Sequence, residues 1–197
     1  MLIAGLTGSI GMGKSATAEM FQGAGIPVFD ADGTVHALQA PGGPSLNAID
    51  AAFPGSVVGG HLDRQKLGAL VFADPAKLKT LEAIMHPLVS GMRAIFIRNN
   101  QHRGSSLVVL DEPLLFEMKV DHLCDAVIVV SAPAAVQRQR VMDRPGMTAE
   151  KFSDIMRSQM SDADKRARAT YIVETDKGFD HARARVCDII KDLEKTA

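Results

Sequence analysis

The chain has 197 residues, of which 46% are hydrophobic and 23% are charged, and its formal net charge is −1. This composition is typical of a globular protein with one sizeable core. The balanced charge argues against binding to nucleic acid or to an anionic membrane surface. No apolar run reaches the ~20 residues of a membrane span, and the N-terminus lacks the basic segment of a signal peptide. Cys124 and Cys187 form no metal-binding spacing, and two thiols do not make a disulfide framework, so we expect a protein of the reducing cytoplasm.

The first predicted element is a short apolar strand over residues 2–6, which leads into Gly8-Ser-Ile-Gly-Met-Gly-Lys14-Ser15. This sequence matches the P-loop pattern G-x-x-x-x-G-K-[ST], and a helical pattern follows it, as the motif requires. The glycines let backbone N–H groups surround a polyphosphate, Lys14 can reach the β- and γ-phosphates, and the Ser15 hydroxyl suits Mg²⁺. The residues predicted to contact the nucleotide are Gly8, Gly11, Met12, Gly13, Lys14, Ser15 and Ala16.

A second strand is predicted over residues 26–29 and is followed by Asp30 and Asp32. The carboxyl ends of the strands in an open α/β sheet border the ligand crevice, so Asp32 is expected at the edge of the P-loop site. Asp30 can share that direction if the chain is still extended there. The alternative is that one of the two aspartates caps the helix expected to begin near Gly33.

Residues 34–100 depart from the alternation of strands and helices that precedes them. Helix starts are predicted at Asp63 and Asp74, and an amphipathic helical pattern over residues 76–97 is interrupted at His86-Pro87. A P-loop core needs only a short crossover at this place, so we expect a helical insertion that binds the second substrate. His86 either faces a ligand or packs within a bent helix, and the residues slightly favour packing.

A fully apolar strand over residues 107–110 ends in Asp111. An acidic residue at the end of a buried strand is the Walker B pattern, in which the carboxylate helps to hold Mg²⁺ directly or through water. Many strands end in an aspartate without binding metal, but the P-loop favours the metal interpretation here. We therefore expect Ser15 and Asp111 to be the metal ligands. A further strand is predicted over residues 126–130.

Residues 137–168 contain eight basic and five acidic side chains. On a helix, Arg140 and Arg144 lie on one face, and an arginine face can close over phosphates and stabilise the charge of the transition state. The alternative for most of the eight basic residues is a solvated surface. A last strand over residues 171–173 and an amphipathic helix over residues 179–193 complete the predicted elements.

Motifs in order along nearly the whole chain resemble those of the dephospho-CoA kinases, the last enzymes of coenzyme A biosynthesis. Beyond the P-loop, the resemblance is carried by residues 5–8, residues 27–32, His86-Pro87-Leu88-Val89, residues 111–117, Gln137 with Arg140 and residues 144–148, Gln159, and Lys165-Arg166.

The resemblance implies an α/β fold, with a P-loop kinase core that has a five-stranded parallel sheet, a helical substrate-binding insertion and a helical lid. In this sequence the core corresponds to residues 1–33, 101–136 and 169–197, the insertion to residues 34–100 and the lid to residues 137–168. The implied reaction transfers the γ-phosphoryl group of ATP to the ribose 3′-hydroxyl of dephospho-CoA, with Mg²⁺.

The resemblance also implies roles for single residues. Asp32 matches the catalytic base of the family, Lys14 its phosphate lysine and Arg140 its lid arginine. Arg144 is expected to join Arg140 at the nucleotide. The residues expected to contact dephospho-CoA are Asp32, His86, Pro87, Asp111 and Leu115.

Three short stretches depart from the family pattern. Pro145 and Thr170 each stand where the family usually has aspartate, and Glu174-Thr175 replaces an Asp-Asn pair. The last two departures are expected near the adenine end of the site, so the adenine contacts remain open.

Two other functions fit a P-loop of this kind. One is a related small-molecule kinase, such as a nucleoside monophosphate kinase, and the other is a non-kinase nucleotide switch. The sequence lacks the Asn/Thr-Lys-x-Asp motif of GTPases and the Leu-Ser-Gly-Gly-Gln motif of transporter ATPases. A binding module without catalysis is disfavoured because Lys14, Asp32, Asp111 and Arg140 are all present. We expect a monomer or a weak homo-oligomer that binds a small-molecule substrate.

Overall fold

The computed structural model describes residues 1–195. The chain divides into two compact units: residues 1–29 together with the chain from Asn100 onward form the first, and Asp30–Asn99 form the second. The strands are β1 (Leu2–Thr7), β2 (Val28–Asp30), β3 (Val57–Val58), β4 (His61–Leu62), β5 (Leu107–Asp111), β6 (Ala126–Ser131) and β7 (Tyr171–Glu174). The helices are α1 (Lys14–Gly23), α2 (Ala31–Leu38), α3 (Leu46–Ala52), α4 (Arg64–Phe72), α5 (Pro75–His102), α6 (Ala134–Met142), α7 (Ala149–Ser158), α8 (Asp162–Ala167) and α9 (Phe179–Glu194), with a 3₁₀ turn at Val120–Leu123.

The first unit is built on a five-stranded parallel sheet in the order β2-β5-β1-β6-β7. Every residue of β5 and of β6 is buried, which explains why both strands read as continuous apolar runs. Leu6 of β1 pairs with Asp111 of β5, so the end of β1 that leads into the P-loop lies beside the acidic end of β5. The predicted fold class is confirmed.

Helices α1 and α9 pack on the sheet of the first unit. The core between them contains Phe21 of α1 and an apolar face of α9, which agrees with the predicted amphipathic pattern of that helix. The buried residues of that face are Ala182, Val186, Ile189, Ile190 and Leu193. None of the helices within residues 1–195 is long and apolar enough to cross a membrane.

The second unit is mostly helical and has its own apolar core. That core joins α2, α3, α4 and α5 through buried residues such as Leu38, Ile49, Leu67 and Met85. Helices α4 and α5 begin after Asp63 and Asp74 as predicted, and both aspartates accept a hydrogen bond from the first turn. The sequence reading missed the two-residue hairpin of β3 and β4, whose turn residues Gly59 and Gly60 both have positive φ angles. Two such residues are what a tight hairpin turn needs.

The predicted interruption of α5 at Pro87 is wrong, because the helix continues from Pro75 to His102. A proline within a helix removes one backbone hydrogen bond and usually bends or ends the helix. Here Ile84 and Met85 before the proline, and Leu88 and Val89 after it, pack on the apolar core of the second unit. This burial on both sides of Pro87 outweighs the lost hydrogen bond.

Candidate active site

The P-loop connects β1 to α1 and depends on glycine at three positions. Gly11 and Gly13 have φ angles of 79° and 93°, a region that side chains disfavour. A Cβ atom at Gly8 would lie 2.7 Å from the carbonyl oxygen of Val130, and one at Gly11 would lie 2.5 Å from Cγ2 of Val141. The loop therefore has its tight conformation because the sheet and α6 leave no room for side chains there.

Lys14 and Asp111 form an ion pair, with 2.8 Å between Nζ of Lys14 and Oδ1 of Asp111. Both side chains are largely buried. The register of β1 and β5 brings the P-loop lysine and the acidic strand end together. The arrangement supplies a cation for phosphate oxygens and a carboxylate for a divalent metal at one place.

The residues predicted to hold Mg²⁺ have the right donor chemistry. Ser15 is exposed in the first turn of α1, and both it and Asp111 offer the oxygen ligands that Mg²⁺ prefers. Residues 1–195 contain no group of three or more His, Cys, Asp or Glu side chains suited to a metal ion. One carboxylate and one hydroxyl fit a Mg²⁺ ion that takes its other ligands from phosphates and water.

Side chains from α6 and from the chain after α7 bind the backbone of the P-loop. Gln137 Nε2 donates to the carbonyl oxygen of Ile10 at 2.8 Å, and the N–H of Ile10 donates to Oε1 of Gln159 at 3.0 Å. The backbone groups of Ile10 are thereby satisfied. Met12 is buried, and its sulfur accepts from the N–H of Ala132 at 3.1 Å, so only the backbone of Met12 can meet a phosphate.

Arg140 is bound to Thr175, which follows the last strand of the sheet. Nη1 of Arg140 donates to the hydroxyl of Thr175 and Nη2 donates to its carbonyl oxygen, each at 2.8 Å. The same hydroxyl lies 2.8 Å from the carbonyl oxygen of Met12 in the P-loop. The lid arginine of the sequence analysis therefore lies against the P-loop. Its contact with ATP phosphates stays a prediction.

The two departures that were expected near the adenine end lie apart. Thr175 stands at the carboxyl end of β7, beside the P-loop. Thr170 precedes β7 at its other end, where its hydroxyl accepts from the N–H of Val127 at 3.0 Å. The prediction that Thr170 and Thr175 lie at the same end of the site is therefore wrong, because the whole length of β7 separates them.

A cavity of about 380 Å³ adjoins the P-loop. Its lining includes Gly13 of the P-loop, Arg140, Arg144, Thr175 and Phe179. The helical spacing predicted for the two arginines is wrong, because α6 ends at Met142. Pro145 disfavours helical geometry at the residue before it. Arg144 nevertheless lines the same cavity as Arg140, from the turn that follows the helix.

Lys165 was grouped with the basic residues of the lid, but it is fully buried in the first unit. Its ammonium group donates to the carbonyl oxygen of Pro113 at 3.0 Å and to the hydroxyl of Thr7 at 3.3 Å, and lies 3.1 Å from Oε1 of Glu117. The pattern of charges could not reveal this, because the partners are some 50 and 160 residues away in sequence. Lys165 therefore links the end of β1 to the segment after β5.

The buried pair has perturbed ionisation. Burial lowers the pKa of Lys165, and the neighbouring Glu117 only partly offsets this effect. For Glu117, burial acts to raise the pKa, but the hydrogen bonds from the N–H of Met160, from its own N–H and from Lys165 together hold the pKa below its usual value.

Asp30 and Asp32 have different local roles in the second unit. Oδ1 of Asp30 accepts from the N–H of Gly33 at 2.9 Å, so Asp30 is the cap of α2. Asp32 lies in the first turn of that helix and is exposed. The capping alternative therefore applies to Asp30. The catalytic role of Asp32 stays a prediction.

The other predicted substrate contacts differ in exposure. His86 and Pro87 are exposed on α5, so the expectation that His86 packs inside the protein is wrong. Leu115 is fully buried, and a Cβ atom at Gly5 would lie 2.9 Å from its methyl group. The side chain of Leu115 is thus covered by the protein in this structure, and its contact with dephospho-CoA stays a prediction.

Comparisons with known proteins identify close relatives. The family model described as dephospho-CoA kinase matches residues 2–181. A dephospho-CoA kinase from Novosphingobium aromaticivorans is 52% identical over 193 residues, covering 98% of this chain and 95% of its own. A crystal structure of a Thermus thermophilus protein has 35% identity and a TM-score of 0.83, with 97% of this chain and 96% of that one covered. A dephospho-CoA kinase from Campylobacter jejuni, at 23% identity, shares the fold with a TM-score of 0.73 over 98% of both chains.

Proposed function

The chain belongs to the dephospho-CoA kinase family and phosphorylates dephospho-CoA with ATP in the biosynthesis of coenzyme A, and we propose which of its residues carry out this reaction. The P-loop binds the ATP phosphates with its backbone N–H groups, and Lys14 neutralises their charge. The observation that best supports this assignment is the ion pair of Lys14 with Asp111, which brings the P-loop lysine and the Walker B carboxylate together.

Ser15 and Asp111 are the proposed ligands of Mg²⁺. The ion would neutralise charge on the β- and γ-phosphates during transfer. Asp111 lies at the end of β5 beside the P-loop lysine, and its carboxylate has the oxygen chemistry that Mg²⁺ prefers. Ser15 supports the proposal because its hydroxyl is exposed at the start of α1.

Arg140 is the proposed group for the charge that develops on the transferred phosphoryl group. A guanidinium group placed beside the phosphates stabilises the transition state more than the ground state. Two of its N–H groups bind Thr175, and the planar guanidinium has further donors for phosphate oxygens. Arg144 joins it in the cavity beside the P-loop, which we assign to the nucleoside part of ATP.

Asp32 is the proposed general base. The ribose 3′-hydroxyl must lose its proton as the phosphoryl group arrives, and a carboxylate within hydrogen-bond distance can orient the hydroxyl and accept that proton late in the transfer. Exposure of Asp32 and the assignment of capping to Asp30 both support this role. His86 and Pro87, exposed on α5, are proposed contacts for the rest of dephospho-CoA.

In the proposed organisation, residues 34–100 form the insertion that binds the acceptor, and residues 137–168 form the lid. Residues 1–33, 101–136 and 169–197 form the nucleotide-binding core. We propose that the enzyme works in the cytoplasm, as a monomer or weak homo-oligomer, without a nucleic-acid partner. The balanced charge supports the absence of a nucleic-acid partner, and Cys124 and Cys187, which form no disulfide, support the cytoplasmic location.

The test of the function is a panel of phosphate acceptors. Formation of ADP is followed with dephospho-CoA and with each nucleoside monophosphate, and ³¹P NMR identifies the product. Of these acceptors, we expect only dephospho-CoA to be turned over, with a new phosphomonoester on its ribose 3′-oxygen. Equal or faster turnover with a nucleoside monophosphate would contradict the assignment.

A further inference from the structure

We propose that Thr175 is a positioning residue that fixes the Arg140 guanidinium against the P-loop for phosphoryl transfer. The inference deepens the proposed function, since it rests on the action of Arg140 at the ATP phosphates. Thr175 touches no reacting atom in this proposal. Its effect on the reaction passes through Arg140.

The direction of each hydrogen bond at Thr175 follows from the chemistry of its partners. Arginine has no acceptor, so the Thr175 hydroxyl must accept from Nη1 of Arg140. Its single proton is then available for the carbonyl oxygen of Met12, at 2.8 Å. The hydroxyl is thereby fixed in orientation, with its proton on the P-loop side and a lone pair on the arginine side.

The guanidinium group is held at two points. Nη2 of Arg140 donates to the carbonyl oxygen of Thr175 at the same distance, 2.8 Å, as Nη1 to the hydroxyl. Two parallel hydrogen bonds to one residue determine the plane of the guanidinium as well as its position. Three of the five N–H groups of Arg140 remain for other acceptors, which is enough to bind two phosphate oxygens.

Thr175 is itself anchored from two sides. Its N–H donates to the carbonyl oxygen of Ser131 at 3.0 Å, which holds its backbone at the end of β6. Its side chain lies 3.1 Å from the position of a Cβ atom at Gly13, so its methyl group packs closely on the P-loop. The sheet, the P-loop and α6 therefore meet at this residue.

This arrangement reduces the cost of ordering a long side chain in the transition state. An arginine that is already oriented beside the phosphates loses less conformational freedom when charge develops there. Removal of the Thr175 hydroxyl should then lower kcat more than it raises the KM for ATP, because the P-loop N–H groups and Lys14 still bind the ground state.

The test compares Thr175→Val with Thr175→Ser. Valine keeps the shape of threonine and removes the hydroxyl, whereas serine keeps the hydroxyl and removes the methyl group. We expect Thr175→Val to lower kcat by about tenfold or more, the effect of losing a hydrogen bond to a charged group. Thr175→Ser should stay within about threefold of the wild type. The matched control is Thr170→Val, which removes a hydroxyl bonded to the backbone at the other end of β7.

A double-mutant cycle shows whether the effect passes through Arg140. In an Arg140→Ala enzyme, the additional change Thr175→Val should lower kcat by less than about threefold, because the group that Thr175 positions is gone. Circular dichroism and thermal unfolding of each variant distinguish a change in kcat from a loss of folding. If Thr175→Val lowers kcat by the same factor in the Arg140→Ala enzyme as in the wild type, the inference is overturned.

Two outcomes distinguish this inference from the proposed function on which it rests. If Arg140→Ala is strongly impaired and Thr175→Val is near normal, Arg140 acts as proposed and the positioning role of Thr175 is wrong. If Arg140→Ala itself keeps near-normal turnover, the role of Arg140 in the proposed function fails, and the inference about Thr175 fails with it.

Discussion

The P-loop in the first unit and the residues proposed for acceptor binding in the second unit, Asp32 and His86, differ in how the protein surrounds them. Around the P-loop, Gln137, Gln159 and Thr175 bind backbone atoms, and Lys14 is paired with Asp111. In the second unit, Asp32 and His86 are exposed on helices that pack on a separate apolar core. The P-loop is therefore fixed by surrounding side chains, whereas the two residues that we propose for the acceptor are exposed.

The largest expected effect comes from the phosphate side of this comparison. Arg140→Ala should lower kcat by on the order of 10³–10⁵, the range for arginines that stabilise phosphoryl-transfer transition states in other enzymes. Steady-state kinetics with saturating ATP and dephospho-CoA measure it. Retention of more than about a tenth of wild-type turnover would show that Arg140 is not part of the reaction.

On the acceptor side, Asp32→Asn should lower kcat by roughly 10²–10⁴, because the amide keeps the shape of the side chain and cannot accept the proton. The matched control is Asp30→Asn. Asparagine caps a helix as well as aspartate does, so this variant should keep kcat within about twofold. A large loss with Asp30→Asn and a small one with Asp32→Asn would transfer the role of base to Asp30.

The ion pair of Lys165 and Glu117 should stabilise the first unit, and substitution of Lys165 tests this. Lys165→Met removes the buried cation and leaves Glu117 without its oppositely charged partner. This should cost about 3–5 kcal/mol of unfolding free energy. Chemical denaturation measures the change. Adding Glu117→Leu to Lys165→Met should recover much of the loss, since the remaining charge is gone. A single Lys165→Met variant as stable as the wild type would contradict the interpretation of the pair.

The same pair predicts a pH dependence of stability. The pKa of Glu117 is lower in the folded protein than in the unfolded chain. Its contribution is therefore fully present above the unfolded value of about 4.3 and is lost as the pH falls through the folded value. Glu117→Gln should lower the unfolding free energy at pH 7. The difference in unfolding free energy between this variant and the wild type should become smaller at acid pH. If the variant and the wild type differ in unfolding free energy by the same amount at pH 7 and at pH 3, this contribution of Glu117 is contradicted.

The smallest expected effect tests the cap of α2. Asp30→Ala removes the side-chain acceptor for the N–H of Gly33 and should cost about 1 kcal/mol of unfolding free energy, with Asp30→Asn near neutral. Denaturation of both variants measures the difference. If the two variants are equally destabilised, the charge of Asp30 matters more than its cap.

Much of the fold and the conformation of the P-loop could be predicted from the sequence, because both depend on local patterns. The P-loop glycines, the buried strands and the helix caps at Asp63 and Asp74 are encoded within a few residues each. The burial of Lys165 and the contact of Arg140 with Thr175 join distant residues that no local pattern pairs. The continuation of α5 through Pro87 was likewise missed, because tertiary packing decided it.

The most direct test of the central claim measures ATP affinity by calorimetry in Lys14→Ala and in Asp32→Asn. We assign ATP binding to the P-loop and the acceptance of the ribose proton to Asp32. Lys14→Ala should therefore bind ATP much more weakly, while Asp32→Asn should bind ATP as the wild type does and lose turnover. Weakened ATP binding with retained kcat in Asp32→Asn would contradict the account and move Asp32 from catalysis to structure or metal binding.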